Sequence, residues 1–230
     1  MMVDQGPVTT ICTAGFYVKF PDGNDPQRRS YGFVTAAQCA GGDSHAPVSV
    51  MKSQDDGMAP VRTAIGEFTY LTSGVTSPAV AGEPWTIPEP ALAVFGPGRG
   101  GWVLPVDGAV NGQPPADGVV SAVDAAQHGR SAVSWTGSDG GVVTGRVLEP
   151  AEFPELRDIP TGVDRVVVAA DESIASMDAG VLGASVTAQA DGSRRNLGIV
   201  TGIDRFRNWV VVDLIGPFLT QQNAELVVHQ

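Results

Sequence analysis

The residues of this 230-residue chain whose types could carry chemistry are three histidines, two cysteines and several close-set carboxylates. An imidazole is the usual general base near neutral pH and a common metal ligand. His45 lies in a polar loop shortly after Cys39, His128 lies in Gln127-His128-Gly129, and His229 stands beside the C-terminus. No metal-binding spacing joins them, so each reads as an exposed loop histidine. The carboxylates Asp22 and Asp25, Asp55 and Asp56, and Asp139 are hard oxygen ligands of the kind calcium takes. Set among turn residues, they read as solvated. No metal and no cofactor is therefore expected. Cys12 and Cys39, by count alone, are either one disulfide or two buried thiols.

The elements that must position such residues are strands. Glycine (29) and proline (17) are frequent, aromatic residues make up 7 %, and short β-branched runs recur, a pattern of many strands and many turns. Strands are expected over residues 11–20, 31–35, 48–51, 64–71 and 91–95, with Pro21 to Pro26 turning the first into the second. Residues 96–118 are rich in Gly, Pro and Asp and read in part as a crossing between two lobes. A second set of strands is expected over 131–135, 141–148, 165–169, 180–186, 196–201 and 209–214. A helix is expected from Pro217, with Phe218-Leu219 and Leu226-Val227 on one apolar face. Hydrophobic residues at 43 % supply a sizeable core, and the length suits one two-lobed domain.

The formal charge is −11, which phosphate backbones repel, so a nucleic-acid partner is not expected. Nor is membrane insertion, because no apolar run is long enough to span a bilayer. Of the 14 basic residues only Lys19 and Lys52 are lysines, a bias common in proteins of high-GC bacteria. The start, Met1 to Pro7, has neither a basic region nor an apolar stretch of signal-peptide type. The expectation is either a cytosolic protein or one whose leader was trimmed and a start codon added, and Met1-Met2 fits the second better.

Three segments, in order, carry a resemblance. Cys12-Thr13-Ala14-Gly15-Phe16 is followed by Gly32-Phe33-Val34-Thr35-Ala36-Ala37-Gln38-Cys39, then Ala91-Leu92-Ala93-Val94, then Met177-Asp178-Ala179-Gly180. Together they resemble the signature segments of the chymotrypsin-like serine proteases, especially the bacterial members. In that family Thr-Ala-Ala/Gly leads into His-Cys, Asp-Leu/Ile-Ala-Val/Leu follows, and Gly-Asp-Ser-Gly carries the nucleophile. Val133 to Gly137 and Val143 to Val147 resemble the Ser-Gly…Thr-Gly hairpin of bacterial relatives, without its disulfide. Leu197 to Gly202 resembles the strand that lines the substrate cleft. The resemblance spans roughly residues 10–215.

It implies an all-β fold of two packed antiparallel β-barrels with a C-terminal helix: an N-terminal barrel over 1–105, a linker over 106–118, and a C-terminal barrel with the helix over 119–230. It also implies a Cys12–Cys39 disulfide, closing a loop of about 27 residues and contributing roughly 3–4 kcal/mol. A disulfide belongs to an oxidising compartment, so a secreted or extracytoplasmic location is expected.

The same resemblance places Gln38 where the general base belongs, Ala91 where its orienting aspartate belongs, and Ala179 where the nucleophilic serine belongs. An amide neither takes up nor returns a proton at neutral pH. The two alanines offer no nucleophile and no orienting charge. Loss of a full triad costs roughly 10⁶-fold in kcat, about 8 kcal/mol of transition-state stabilisation. Met177, Asp178 and Ala179 are then the remnant of the oxyanion loop. The arginine that holds this aspartate in bacterial members has its place taken by Trp135. Asp178 is therefore expected to find another donor or to be partly exposed, and Met177 to distort a loop built for glycine. Ser173, Thr201, Gly202 and Ile203 are candidate cleft-lining residues, Ser173 reading equally as an ordinary loop serine.

The expected function is that of a non-catalytic protease homologue, holding a peptide or protein partner in the former cleft. The alternatives are an active hydrolase using other residues, an engineered inactive form, or an interaction protein whose cleft is filled by side chains such as Met177 or Trp135.

Overall fold

The computed structural model describes residues 2–5, 8–22, 25–41, 43, 45–52, 59–71, 92–97, 118–120, 131–136, 141–149, 165–174, 181–190 and 193–227. The first half runs through β1 (Met2–Gln5), β2 (Val8–Ile11), β3 (Tyr17–Asp22), β4 (Asp25–Ala36), β5 (Pro47–Lys52), β6 (Val61–Leu71) and β7 (Leu92–Pro97). A 3₁₀ turn, Ala37–Ala40, follows β4. The second half holds β8 (Ala132–Thr136), β9 (Val142–Val147), β10 (Arg165–Ala170), β11 (Ser185–Ala190), β12 (Ser193–Asp204) and β13 (Trp209–Leu214), then α1 (Ile215–Gln222) and β14 (Glu225–Leu226).

The protein is all-β, as expected. The strands of the second half close into a six-stranded barrel, in the order β10-β13-β12-β11-β8-β9. The seven strands of the first half, joined by β14, form an eight-stranded sheet, β14-β3-β4-β7-β6-β5-β1-β2. The last strand of the chain thus returns to the first half, where Glu225 pairs with Lys19 and Leu226 with Val18. The linker proposed at 106–118 lies, apart from Gly118, outside the described residues.

Alternation builds the barrel. Val210, Val212 and Leu214 of β13 face its interior with Val168, Val186, Leu197 and Val200, and Trp135 is fully buried among them. The alternate residues Trp209, Val211 and Asp213 are also buried. A strand covered on both faces reads as an unbroken apolar run, and β13 does so except at Asp213.

That carboxylate is answered from the neighbouring strand. Arg165 pairs with Asp213 in the β10–β13 ladder, and its Nε donates to Asp213 Oδ1 at 2.8 Å, with side-chain exposures of 0 % and 4 %. Arg165 Nη1 and Nη2 are buried with no hydrogen-bond partner among the described residues. The carboxylate is therefore the buried cation's main compensation.

A separate apolar cluster joins the halves. Phe16, Val18 and Val34 of the sheet pack with Ile199, Ile215 and Phe218 of the barrel and helix. Gly15 makes this approach possible, since a Cβ there would run into the side chain of Ile199.

Several boundaries differ from the sequence reading. The expected strand 11–20 is interrupted at 12–16, where the backbone serves other partners: Thr13 N donates to Leu182 O at 2.8 Å and Gly15 N to Val34 O at 2.9 Å. The expected strand 180–186 begins only at Ser185, because Gly183 turns the chain with φ of 85°. Helix α1 starts two residues before Pro217, which occupies the first turn, where a missing N–H costs nothing. It stops at Gln222, Asn223 taking the left-handed conformation while Ala224 N returns to Leu219 O at 2.8 Å. Leu226 therefore lies in a strand, not on the helix face shared with Phe218.

Two outcomes test these contacts. Asp213→Asn is expected to cost about 3–5 kcal/mol, because it strands a buried guanidinium, whereas Arg165→Met with Asp213→Leu should recover most of that loss. Urea unfolding midpoints measure both, and a single-variant loss below about 1 kcal/mol contradicts the reading. Second, the Lys19 ammonium, 2.8 Å away, holds the Glu225 carboxyl below its ordinary value of 4.5, first by its hydrogen bond and then by its charge. A depressed folded-state pKa stabilises above the unfolded value and fades as pH falls through the folded one. Glu225→Gln should therefore destabilise near neutral pH and become neutral in strong acid, read from thermal midpoints against pH.

Candidate functional site

Strand β4 ends at Ala36, and the 3₁₀ turn carries Gln38 and Cys39 away from the sheet. Cys39 is bonded to Cys12 with a Cα–Cα distance of 6.2 Å, both residues fully buried. The expected disulfide is present. Just before the turn, Thr35 Oγ1 donates to Thr13 O at 2.8 Å in a fully buried contact. Residues 35–39 are thus tied to residues 12–13 by a covalent bond and a hydrogen bond, which fixes where the Gln38 side chain starts.

That side chain reaches across to the second half. Gln38 Nε2 donates to the carbonyl of Thr201 at 2.7 Å, between residues 163 apart in sequence. Thr201 is a special position on β12. The ladder with β13 pairs Val200 with Val212 and Gly202 with Val211, leaving Thr201 as an extra residue in a bulge. Bulges re-aim backbone groups and gather beside functional sites. Thr201 is buried, and its Oγ1 has no hydrogen-bond partner among the described residues.

A fourth segment completes the junction. Gly183 N donates to Val200 O at 2.8 Å, and Leu182 O accepts from Thr13 N at 2.8 Å. Gly183 has φ of 85°, and a Cβ on it would collide with Thr35 Oγ1 and Thr13 O. Only glycine satisfies both demands. Residues 12–15, 35–39, 181–184 and 200–202 therefore meet in one place. Residue 92 also borders it, since Leu92 pairs with Ala36 at the end of β4.

Of the sequence-derived site residues, Gln38 and Thr201 are in direct contact. Gly202 is buried, and Ile203 is half-buried against the barrel core. Ser173 is exposed, on the segment leaving β10. Ala91, Met177, Asp178 and Ala179 lie outside the described residues, as do Asp55, Asp56, Asp139, His128 and His229. His45 is exposed, with its backbone N bonded to Asp43 Oδ1. Among the described residues no three His, Cys, Asp or Glu side chains gather as a metal site. Trp135, considered as a cleft-filling side chain, belongs instead to the barrel core.

The sequence reading missed three contributors. Thr13 and Thr35 look like ordinary strand residues, and only their closeness to Gly183 reveals their role. Asn208 anchors the segment that carries Ser173: its Nδ2 donates to Ala170 O and Glu172 O, and its Oδ1 accepts from Ile174 N, at 2.7–2.8 Å. Its left-handed φ of 61° is of a kind asparagine tolerates, and an Asn between charged residues and an apolar run was the available signal.

Neither a family model nor a curated protein sequence matches the chain. Solved structures do. Thermobifida fusca Protease A superposes with a TM-score of 0.57 at 17 % identity, over 99 % of this chain and 96 % of that one. The Nocardiopsis protease NAPase gives 0.54 at 17 % identity, over 98 % and 96 %. The fold is that of the bacterial chymotrypsin-like serine proteases. Within this protease fold the junction around Gln38 and Thr201 is where the two halves meet.

Substituting Gly183 tests the junction. Gly183→Ala is expected to cost at least about 2 kcal/mol, from left-handed strain together with the collision against Thr13 and Thr35. Gly118→Ala is the control, because Gly118 has φ of 103° but nothing within 4 Å of its would-be Cβ. Chemical denaturation should show the larger loss at 183, and equal losses would mean that the close approach contributes nothing.

Proposed function

We propose that this chain is a non-catalytic serine protease homologue that holds an extended peptide or protein segment along β12 in the former substrate cleft. The observation that carries this reading is Gln38. Beside the disulfide-bonded Cys39 stands an amide, and its N–H is committed to a backbone carbonyl. A group that neither gains nor loses a proton near neutral pH cannot serve as general base. The residue types Ala91 and Ala179 agree, one lacking a charge and the other a nucleophilic atom. In the worked triad, what remains without the catalytic residues gives only about 10³–10⁴ over water, too little for a working peptidase.

What the fold retains is a strand to bind against. β11 accompanies β12 as far as Ile199, and Gly183 and Ala184 continue the pairing to Val200. From Gly202 to Asp204, β12 pairs with β13 alone among the described residues. An open strand edge takes an extended segment by backbone hydrogen bonds, with neighbouring side chains supplying selectivity. Export fits the same picture, since the buried Cys12–Cys39 bridge suits an oxidising compartment.

Incubation with fluorogenic peptides and an active-site phosphonate should give neither turnover nor covalent labelling, and Gln38→His alone should change nothing, because no nucleophile follows at 179. A random peptide pool should be retained by the immobilised protein. Phosphonate labelling of the natural chain would establish an active hydrolase instead, and failure to retain any peptide would remove the binding role.

A further inference from the structure

The turn joining β12 to β13 presents Phe206 at 82 % exposure, the most exposed large apolar side chain among the described residues. Isolated exposed apolar residues are ordinary on protein surfaces. This one differs in how it is held. Asp204 is buried, and its Oδ1 accepts from the backbone N–H groups of Phe206 and Arg207 at 2.9 and 3.1 Å. Its Oδ2 accepts from Arg207 Nη1 at 2.8 Å, and the Arg207 guanidinium lies 5.4 Å from the centre of the Trp209 ring. On the other side Asn208 ties the turn to Ala170, Glu172 and Ile174. These contacts fix the tip in advance, and a presented side chain binds better when its ordering cost is already met.

Charge narrows the partner. Arg205 is exposed and makes no ion pair among the described residues. Arg207 is 42 % exposed and shares its charge with Asp204. Phe206 therefore stands between two arginines, on a chain whose net charge is −11. Aromatic residues and arginine are the side chains most enriched at interface hot spots. The local charge of the tip is positive, so a segment carrying carboxylates beside an apolar side chain complements it.

We infer that the Arg205–Asn208 turn is a preformed anchor for an acidic, apolar-bearing segment of a partner protein, with Phe206 as the apolar contact and Arg205 as the charge contact. The inference rests on the peptide-holding reading and gives it a ligand class, because the turn directly continues the β12 edge. Exposed Asp171 and Glu172 adjoin Asn208, so the segment's carboxylates are expected on the Arg205 side.

The test uses two fluorescein-labelled dodecapeptide pools, one randomised over Asp, Glu, Leu and Phe and the other over Lys, Arg, Leu and Phe, with anisotropy as readout. The intact disulfide-bonded protein should bind the acidic pool about tenfold more tightly than the basic pool. Phe206→Ser and Arg205→Glu should each weaken the acidic pool by about tenfold. Val142→Ser, at a site 60 % exposed on β9, should leave it unchanged. Binding that ignores both turn variants, or that favours the basic pool, overturns the anchor and leaves the cleft reading standing. Equal loss in Val142→Ser marks nonspecific adhesion and also overturns the anchor. Binding of neither pool overturns the anchor, and if the random pool is not retained either, the cleft reading falls with it.

Discussion

Thr35 and Thr13 are bonded through a space that they share with Gly183, and the junction of the two halves depends on that close approach. A side chain at 183 would displace either the threonine hydroxyl or the backbone carbonyl it bonds. Because Gly183 fits, its N–H reaches Val200 and the preceding carbonyl reaches Thr13. The bond from Gly183 holds this segment on β12, and the one from Thr13 ties it to the first half beside the disulfide. Gly15 does the same on the other flank, against Ile199. With both glycines in place, the amide of Gln38 lies within hydrogen-bond reach of the bulged Thr201.

The second constraint is electrostatic. Asp213 interrupts an otherwise apolar strand, and Arg165 meets it with both side chains almost wholly out of water. Such a pair contributes less to stability than its charges suggest, because desolvation offsets most of the attraction. Its consequence is register: a one-residue slip between β10 and β13 would separate the charges and leave each uncompensated in the interior. The ladder at Arg165–Asp213 adjoins Gly198–Leu214 and Ile199–Asp213 in the next strand pair, so a fixed register there fixes β12 as well.

Catalysis and binding make different demands on this framework. Acyl transfer needs an ionisable base next to a nucleophile, and side-chain chemistry alone decides whether that is met. Holding an extended segment needs a strand edge at the correct place, and packing decides that. Gln38 carries an amide that does not titrate near neutral pH, and its bond to Thr201 ties the two halves together. The β12–β13 turn extends the same edge, held by Asp204 and Asn208 rather than by any group suited to chemistry.

Residue identity and alternation were readable without coordinates. The absence of a base at 38 and of a hydroxyl at 179 follows from composition at those positions under the resemblance, and strands such as 165–169 and 209–214 follow from β-branched runs. The Cys12–Cys39 pairing needed the resemblance as well, since counting left two thiols equally open. Tertiary structure alone decided the partners of Gln38, Asp213 and Thr35, the break in the strand at 12–16, and the return of Leu226 to a sheet. Each is settled by a backbone or side-chain group from a distant part of the chain. Local periodicity records which way a side chain points, not what will be waiting there.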